Sequence, residues 1–203
     1  MNRKNHWEKI YAEKSPCDVS WFQTKPDMSM KLIERSGVAK DAAIIDVGGG
    51  ASVLVDHLCT EGYSDLTILD ISAKALAHSQ ERLCDTTECI EWIDADVTAF
   101  EPQKSFALWH DRAVFHFLTE SSDRKKYVDV LTRGLAKGGQ LIIAAFAIDG
   151  PTRCSGLDIV QYDEAKMSAE LGERFTLLEE IIEVHVTPTG SEQKFQYFRY
   201  EFS

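Results

Sequence analysis

Three consecutive glycines, Gly48-Gly49-Gly50, follow the apolar run Ile44-Ile45-Asp46-Val47 and lead into Ala51-Ser52. Glycine lets a backbone turn at positive φ and lets a ligand approach main-chain N–H groups closely. A helix opening just behind such a turn adds unpaired N–H donors and the positive end of its dipole. That combination suits a nucleotide-type ligand; the plainer alternative is a tight strand-to-helix connection. The next apolar run, Leu66-Thr67-Ile68-Leu69, ends in Asp70. An acid about 20 residues past the glycines, at the carboxyl end of a strand, is placed to accept hydrogen bonds from ribose hydroxyls. A third run, Ile90-Glu91-Trp92-Ile93, leads to Asp96, which would accept from an exocyclic amine such as that of adenine. Ile71 and Val97, the next residues along, join the same ligand-facing set. The alternatives are a helix N-cap for Asp70, a role Ser72 fills at least as well, and a turn residue for Asp96.

A second group lies after the fourth apolar run: His110, Asp111, Arg112 and His116. Two imidazoles, a carboxylate and a guanidinium are costly to bury without a purpose. Asp111 would orient an acceptor or pair with Arg112, and Arg112 would contact the acceptor. His110 or His116 would take its proton as general base. The alternatives are a structural Asp111–Arg112 pair and a partly buried, satisfied His116. The two histidines lack the spacing of a metal pair on one helix face, so no metal is expected.

A dinucleotide turn of the G-x-G-x-x-G type would place a third glycine at position 53, where this chain has Val53. No lysine follows the glycines as it would in a polyphosphate cradle. A nucleoside ligand without polyphosphate fits better. Here the chain resembles the class I S-adenosylmethionine-dependent methyltransferases. Their acid-x-Gly-x-Gly pattern corresponds to Asp46-Val47-Gly48-Gly49-Gly50, their ribose acid to Asp70 and their adenine-side acid to Asp96; their frequent third glycine is Ser52 here. The segment around Asp111-Arg112 is similar to the Asp-Arg/Lys-Gly segment of thiopurine methyltransferases and of lysine methyltransferases acting on translation factors, with Ala113 in place of the glycine. The resemblance implies S-adenosylmethionine as cofactor and S-adenosylhomocysteine as product. It also implies direct methyl displacement onto an N, O or S nucleophile of a small molecule or a protein lysine. Asp18-Val19-Ser20-Trp21-Phe22-Gln23 would then be a lid. Trp21 would face the sulfonium by a cation–π contact of about 0.5–2 kcal/mol, and Phe22 would face the acceptor. Cys154, in the turn-rich loop 149–156, would help wall the acceptor pocket. Two rival readings remain open: an NAD(P)-dependent oxidoreductase, and a non-catalytic subunit that binds S-adenosylmethionine.

The elements that must position these residues read as an α/β alternation. Short apolar strands at 42–47, 66–70, 90–93, 106–109 and 140–147 are separated by helical segments, which predicts a mostly parallel, doubly wound Rossmann-like sheet. Strands over 175–186 and 194–202, joined by Thr187-Pro188-Thr189-Gly190-Ser191, predict an antiparallel C-terminal hairpin. That hairpin matches the seven-strand fold of the resembled family. Helices are expected at 5–14, 26–36 and 52–61. The whole chain, 1–203, reads as one domain, with 1–40 a helical lid and 41–203 the core.

Composition narrows the partners. The net charge of −11 argues against a nucleic-acid partner. No apolar run approaches the ~20 residues that span a bilayer, so no membrane association is expected. The five cysteines form no C-x-x-C pair, and with no leader pattern at the N-terminus they favour a reducing cytoplasm.

Overall fold

A computed structural model describes residues 2–83 and 90–203. Cys84 and Cys89 lie outside the described residues. Nine strands are formed: β1 Ile44–Val47, β2 Leu66–Asp70, β3 Ile90–Asp94, β4 Phe106–Arg112, β5 Leu135–Phe146, β6 Arg153–Cys154, β7 Leu157–Asp158, β8 Phe175–Val186 and β9 Glu192–Phe202. The helices are α1 Arg3–Glu13, α2 Asp27–Ser36, α3 Leu54–Thr60, α4 Ala73–Leu83, α5 Ser121–Gly134 and α6 Glu164–Leu171. Seven strands form one sheet in the order β3-β2-β1-β4-β5-β9-β8. β1 through β5 run parallel, while β9 and β8 close the sheet antiparallel.

Burial explains the parallel core. Every residue of β1 and β2 is buried, as in strands covered on both faces. Alternate residues divide between two cores. Ile44, Ile68 and Leu108 pack with Leu32 and Ile33 of α2 and with Leu54, Val55 and Leu58 of α3. Ile45, Leu69 and Trp109 pack with Tyr127 and Leu131 of α5 and with Met167 of α6. Strand order reverses between β1 and β4, and the carboxyl ends of strands at such a reversal are where ligands bind in open α/β sheets.

Three departures from the sequence expectation bear on the site. β4 continues to Arg112 rather than stopping at Trp109, so His110, Asp111 and Arg112 alternate across the sheet. α3 begins at Leu54, after Ser52 Oγ has accepted the Leu54 N–H (3.1 Å). The loop after β5 contains a small two-stranded hairpin, β6–β7, where only turns were expected. No helix among the described residues is long and apolar enough to cross a membrane.

Candidate functional site

The glycine turn leaves β1 at Gly48, whose φ of +74° requires glycine, and whose N–H donates to the Leu69 carbonyl (2.7 Å). A Cβ on Gly48 would lie 2.1 Å from Cγ2 of Val114, and one on Gly50 would lie 2.6 Å from Oδ2 of Asp70. The turn therefore admits no side chain at these positions. Asp70 closes the far side. Its Oδ2 accepts the Gly50 N–H (3.0 Å) and its Oδ1 the Ser72 N–H (2.8 Å), leaving further lone pairs on both oxygens. Ser72 Oγ accepts the Ala75 N–H (3.2 Å), so the capping of α4 falls to Ser72. Burial pushes the Asp70 carboxyl up to about 6 despite the two backbone donors. Asp96, past β3, accepts from the Thr98 N–H (2.9 Å) and hydroxyl (2.7 Å) and pairs with Arg3 (3.2 Å).

Two adjoining cavities meet at this turn. One is bounded by Leu69, Asp70, Ile71, Asp96 and Val97; the other by Asp46, Gly49, Ser52, Phe22 and His110. Tyr11, Trp21, Gly48 and Arg112 line both. Gly50 lines neither, and acts through its bond to Asp70. Asp46 Oδ1 is bonded to His110 Nδ1 (2.7 Å), while its Oδ2 is buried with no partner.

The residues of β4 separate by face. His110 lies on the α2 side: its Nδ1 faces Asp46, which makes it the protonated nitrogen, and its Nε2 accepts from Ser29 Oγ (2.9 Å). Asp111 lies on the opposite, α5 side, fully buried. It accepts from the Tyr127 hydroxyl (2.6 Å) and from the backbone N–H of Val114 (2.9 Å) and Phe115 (3.2 Å). Burial pushes its carboxyl up to about 6. The sequence grouping of His110 with Asp111 is thereby corrected, because successive strand residues point to opposite faces. Asp111 and Arg112 form no pair either. Arg112 donates from Nε to the Tyr197 hydroxyl (2.8 Å) and from Nη1 to the Trp21 carbonyl (3.0 Å), and stacks over Phe195 at 4.3 Å. Its Nη2 has no hydrogen-bond partner and stands 3.8 Å from Glu183. His116 is buried between Phe117 and Phe146 with both ring nitrogens unpartnered; burial, with Arg112 nearby, lowers it to about 3 and keeps it neutral. Neither His116 nor Cys154 lines the two cavities; Cys154 is buried in the α2-side core, its thiol pushed up to about 11.

If Asp111 serves the fold, Tyr127→Phe is expected to lower unfolding free energy by about 1–3 kcal/mol, the cost of an unsatisfied buried acceptor. S-adenosylhomocysteine affinity at the permissive temperature should be unchanged. Thermal melts and calorimetry on the same variant check both halves.

Sequence reading missed the part played by α1. Trp7 and Tyr11, expected as packing residues, line the cavity beside Asp70, and Trp7 meets Trp21 and Phe117 edge-on at 5.6 and 5.0 Å. Arg3 bridges Asp96 and Asp123, Lys4 pairs with Asp94, and Glu8 accepts the Ala73 N–H (2.7 Å). α1 thus covers the Asp70–Asp96 edge. Only the four-residue spacing of Trp7 and Tyr11 hinted at a shared face.

Comparison with known proteins agrees with this geometry. A family model described as "Methyltransferase domain" matches residues 44–139. The chain is 24% identical over 200 residues to the human protein "EEF1A lysine methyltransferase 2", covering 89% of this chain and 77% of that one, and 23% identical to its mouse counterpart. Among solved structures, the N-methyltransferase NodS from Bradyrhizobium japonicum WM9, in complex with S-adenosylhomocysteine, matches with a TM-score of 0.77 at 18% identity, over 100% of this chain and 99% of that one. The 1,6-didemethyltoxoflavin-N1-methyltransferase of Burkholderia thailandensis, with bound 1,6-didemethyltoxoflavin and S-adenosylhomocysteine, matches with a TM-score of 0.76 at 14% identity, over 98% and 87%.

Proposed function

Because the chain is a class I S-adenosylmethionine-dependent methyltransferase, we propose that its two cavities divide the work at Gly48. The Asp70–Asp96 cavity takes the adenosine half of the cofactor, and the Asp46–His110 cavity takes the methionine half and the acceptor. The observation that carries this reading is the side-chain-free turn at Gly48, flanked by the open lone pairs of Asp70 and the unpartnered oxygen of Asp46. These features fit the cofactor: carboxylate oxygens for ribose hydroxyls on one side, and an acceptor for an ammonium on the other.

The cofactor supplies a methyl group on a cationic sulfur, which leaves by direct displacement onto the acceptor atom. The protein's residues bind and align. Asp70 accepts the ribose hydroxyls, Asp96 accepts from the adenine amine, and Ile71 and Val97 flank the base and sugar. Gly48, Gly49 and Ser52 let the backbone approach the methionine part, while Trp21 presents its ring to the cation. His110 is a positioning residue: bonded at both nitrogens, it orients Asp46 rather than moving a proton. His116, neutral and held near 3, is a poor match for a base working near neutral pH. Catalysis then rests on alignment and exclusion of water, the largest effects open to a displacement of this kind.

For the acceptor we favour a small molecule. The Ser20 carbonyl is held by His185 (2.8 Å) and the Trp21 carbonyl by Arg112, so the segment before α2 closes the acceptor side. Phe22 and the open Nη2 of Arg112 would contact the molecule there. A protein lysine is the second reading, favoured by the kinship with a lysine methyltransferase. Release of S-adenosylhomocysteine, measured over a panel of small N, O and S nucleophiles and lysine peptides, tests the assignment. Turnover with small acceptors is expected; turnover with peptides alone would favour the second reading.

Asp70 also sets a pH dependence. Ribose hydroxyls donate to the carboxylate, so protonation near 6 removes an acceptor. S-adenosylhomocysteine affinity is expected to be flat above about pH 7 and to fall towards tenfold per unit well below about 6. Fold stability moves the opposite way. Asp70 and Asp111 hold protons in the folded chain at pH values where the unfolded chain has lost them, so their contribution to stability declines as pH rises from about 4 through about 6. Calorimetry between pH 5 and 8 separates the two effects; an affinity independent of pH would remove Asp70 from the ribose.

A further inference from the structure

β8 is the outermost strand of the sheet, pairs only with β9, and leaves its other edge free along Phe175–Val186. Natural edge strands are protected by lysine, proline or bulges along their length. β8 contains no lysine and no proline, and its single irregularity falls at its start, between Leu177 and Glu179. Five large apolar side chains are exposed among the described residues, and four of them, Leu178, Ile182, Val184 and Val186, lie on one face of this strand at 44–59% exposure. Scattered apolar residues on a surface mean little, but a row along an unpaired edge marks a contact.

We infer that β8 pairs antiparallel with β8 of a second copy of this chain, joining the two sheets about a two-fold axis through Ile182. The charge pattern selects that partner and register. An isologous antiparallel pair sets residues of the same face opposite one another. With the axis at Ile182, Leu178 stands opposite Val186 and Glu180 opposite Val184 on the exposed face. On the other face, Glu179 stands opposite His185 and Ile181 opposite Glu183. No carboxylate meets a carboxylate. Moving the axis to Ile181 sets Glu179 against Glu183, and moving it to Glu179, Glu180 or Glu183 sets each against itself, which is destabilising for directly opposed like charges. An axis at Val184 avoids the clash but shortens the overlap to the end of the strand. The longest pairing free of repulsion is thus the one that sets Ile182 against Ile182 and Leu178 against Val186. This pairing is independent of the cofactor assignment.

The test is the solution mass of the full chain by light scattering, with three variants. The native chain is expected as a dimer at micromolar concentration. Ile182→Lys, which places two ammonium groups together on the axis, is expected to yield a monomer that binds S-adenosylhomocysteine as the native chain does. Ile182→Cys is expected to form a disulfide between the two copies of residue 182 on mild oxidation, identified by peptide mass mapping. Val184→Cys, opposite Glu180, is expected not to link to itself. A monomeric native chain, a dimer that survives Ile182→Lys, or cross-links mapping away from residue 182 would each overturn the pairing.

Discussion

Asp70→Ala is expected to reduce affinity for S-adenosylhomocysteine a hundredfold or more while the chain stays folded. Hydrogen bonds to a charged acceptor contribute about 1.5–3 kcal/mol each, and a ribose offers two hydroxyls, so their joint loss is about 10²-fold at the lower end. The substitution also strips the Gly50 and Ser72 N–H groups of their acceptor, which loosens the turn the cofactor must touch. Against that, a carboxyl that burial raises to about 6 is itself costly to keep ionised, so its removal relieves part of the strain on the fold. Asp70→Asn keeps one acceptor oxygen and is expected to fall between the native chain and Asp70→Ala. Calorimetry reports the affinities, and circular dichroism reports the fold.

Gly48→Ala should damage the site as severely, by another route. An alanine at φ +74° carries the left-handed backbone penalty, about 1 kcal/mol, and its methyl would sit 2.1 Å from Val114 Cγ2. The clash must push apart the β1 turn and the segment after β4, and both line the junction of the two cavities. Cofactor binding is expected to fall at least a hundredfold, with melting temperature lowered as well. Gly62→Ala supplies the control: it shares the positive φ (+84°), but its Cβ would meet nothing within 4 Å. It should cost a similar backbone penalty and leave affinity untouched. Gly48→Ala combined with Val114→Ala should recover part of the loss by removing the methyl in the way. Equal affinity in Gly48→Ala and the native chain would show that the turn does not touch the cofactor.

What was legible in the sequence followed from local chemistry. The glycine turn, the acids ending β2 and following β3, and the strand rhythm are each encoded within a few residues, and all of them meet at one edge of the sheet. The C-terminal hairpin was legible from its turn residues and its two apolar runs. The side-chain roles of β4 were not, because they depend on where the strand stops. Had it ended at Trp109, His110 and Asp111 could have shared a loop; continuing to Arg112, it sends them to opposite cores, where Ser29 and Tyr127 claim them. Neither partner is near in sequence, so no local pattern announces the bond. The role of α1 was hidden for the same reason. Arg3 meets Asp96 and Trp7 meets Phe117 across most of the core's sequence, and a short helix with two aromatic residues reads the same whether it packs or covers a site.

Titration of the purified chain with S-adenosylhomocysteine by calorimetry, with NADH and Asp70→Ala in parallel, tests the cofactor site most directly. Micromolar binding of S-adenosylhomocysteine, none of NADH, and loss of binding in a folded Asp70→Ala variant is the expected result. Undiminished binding by Asp70→Ala, or a preference for NADH, would contradict it.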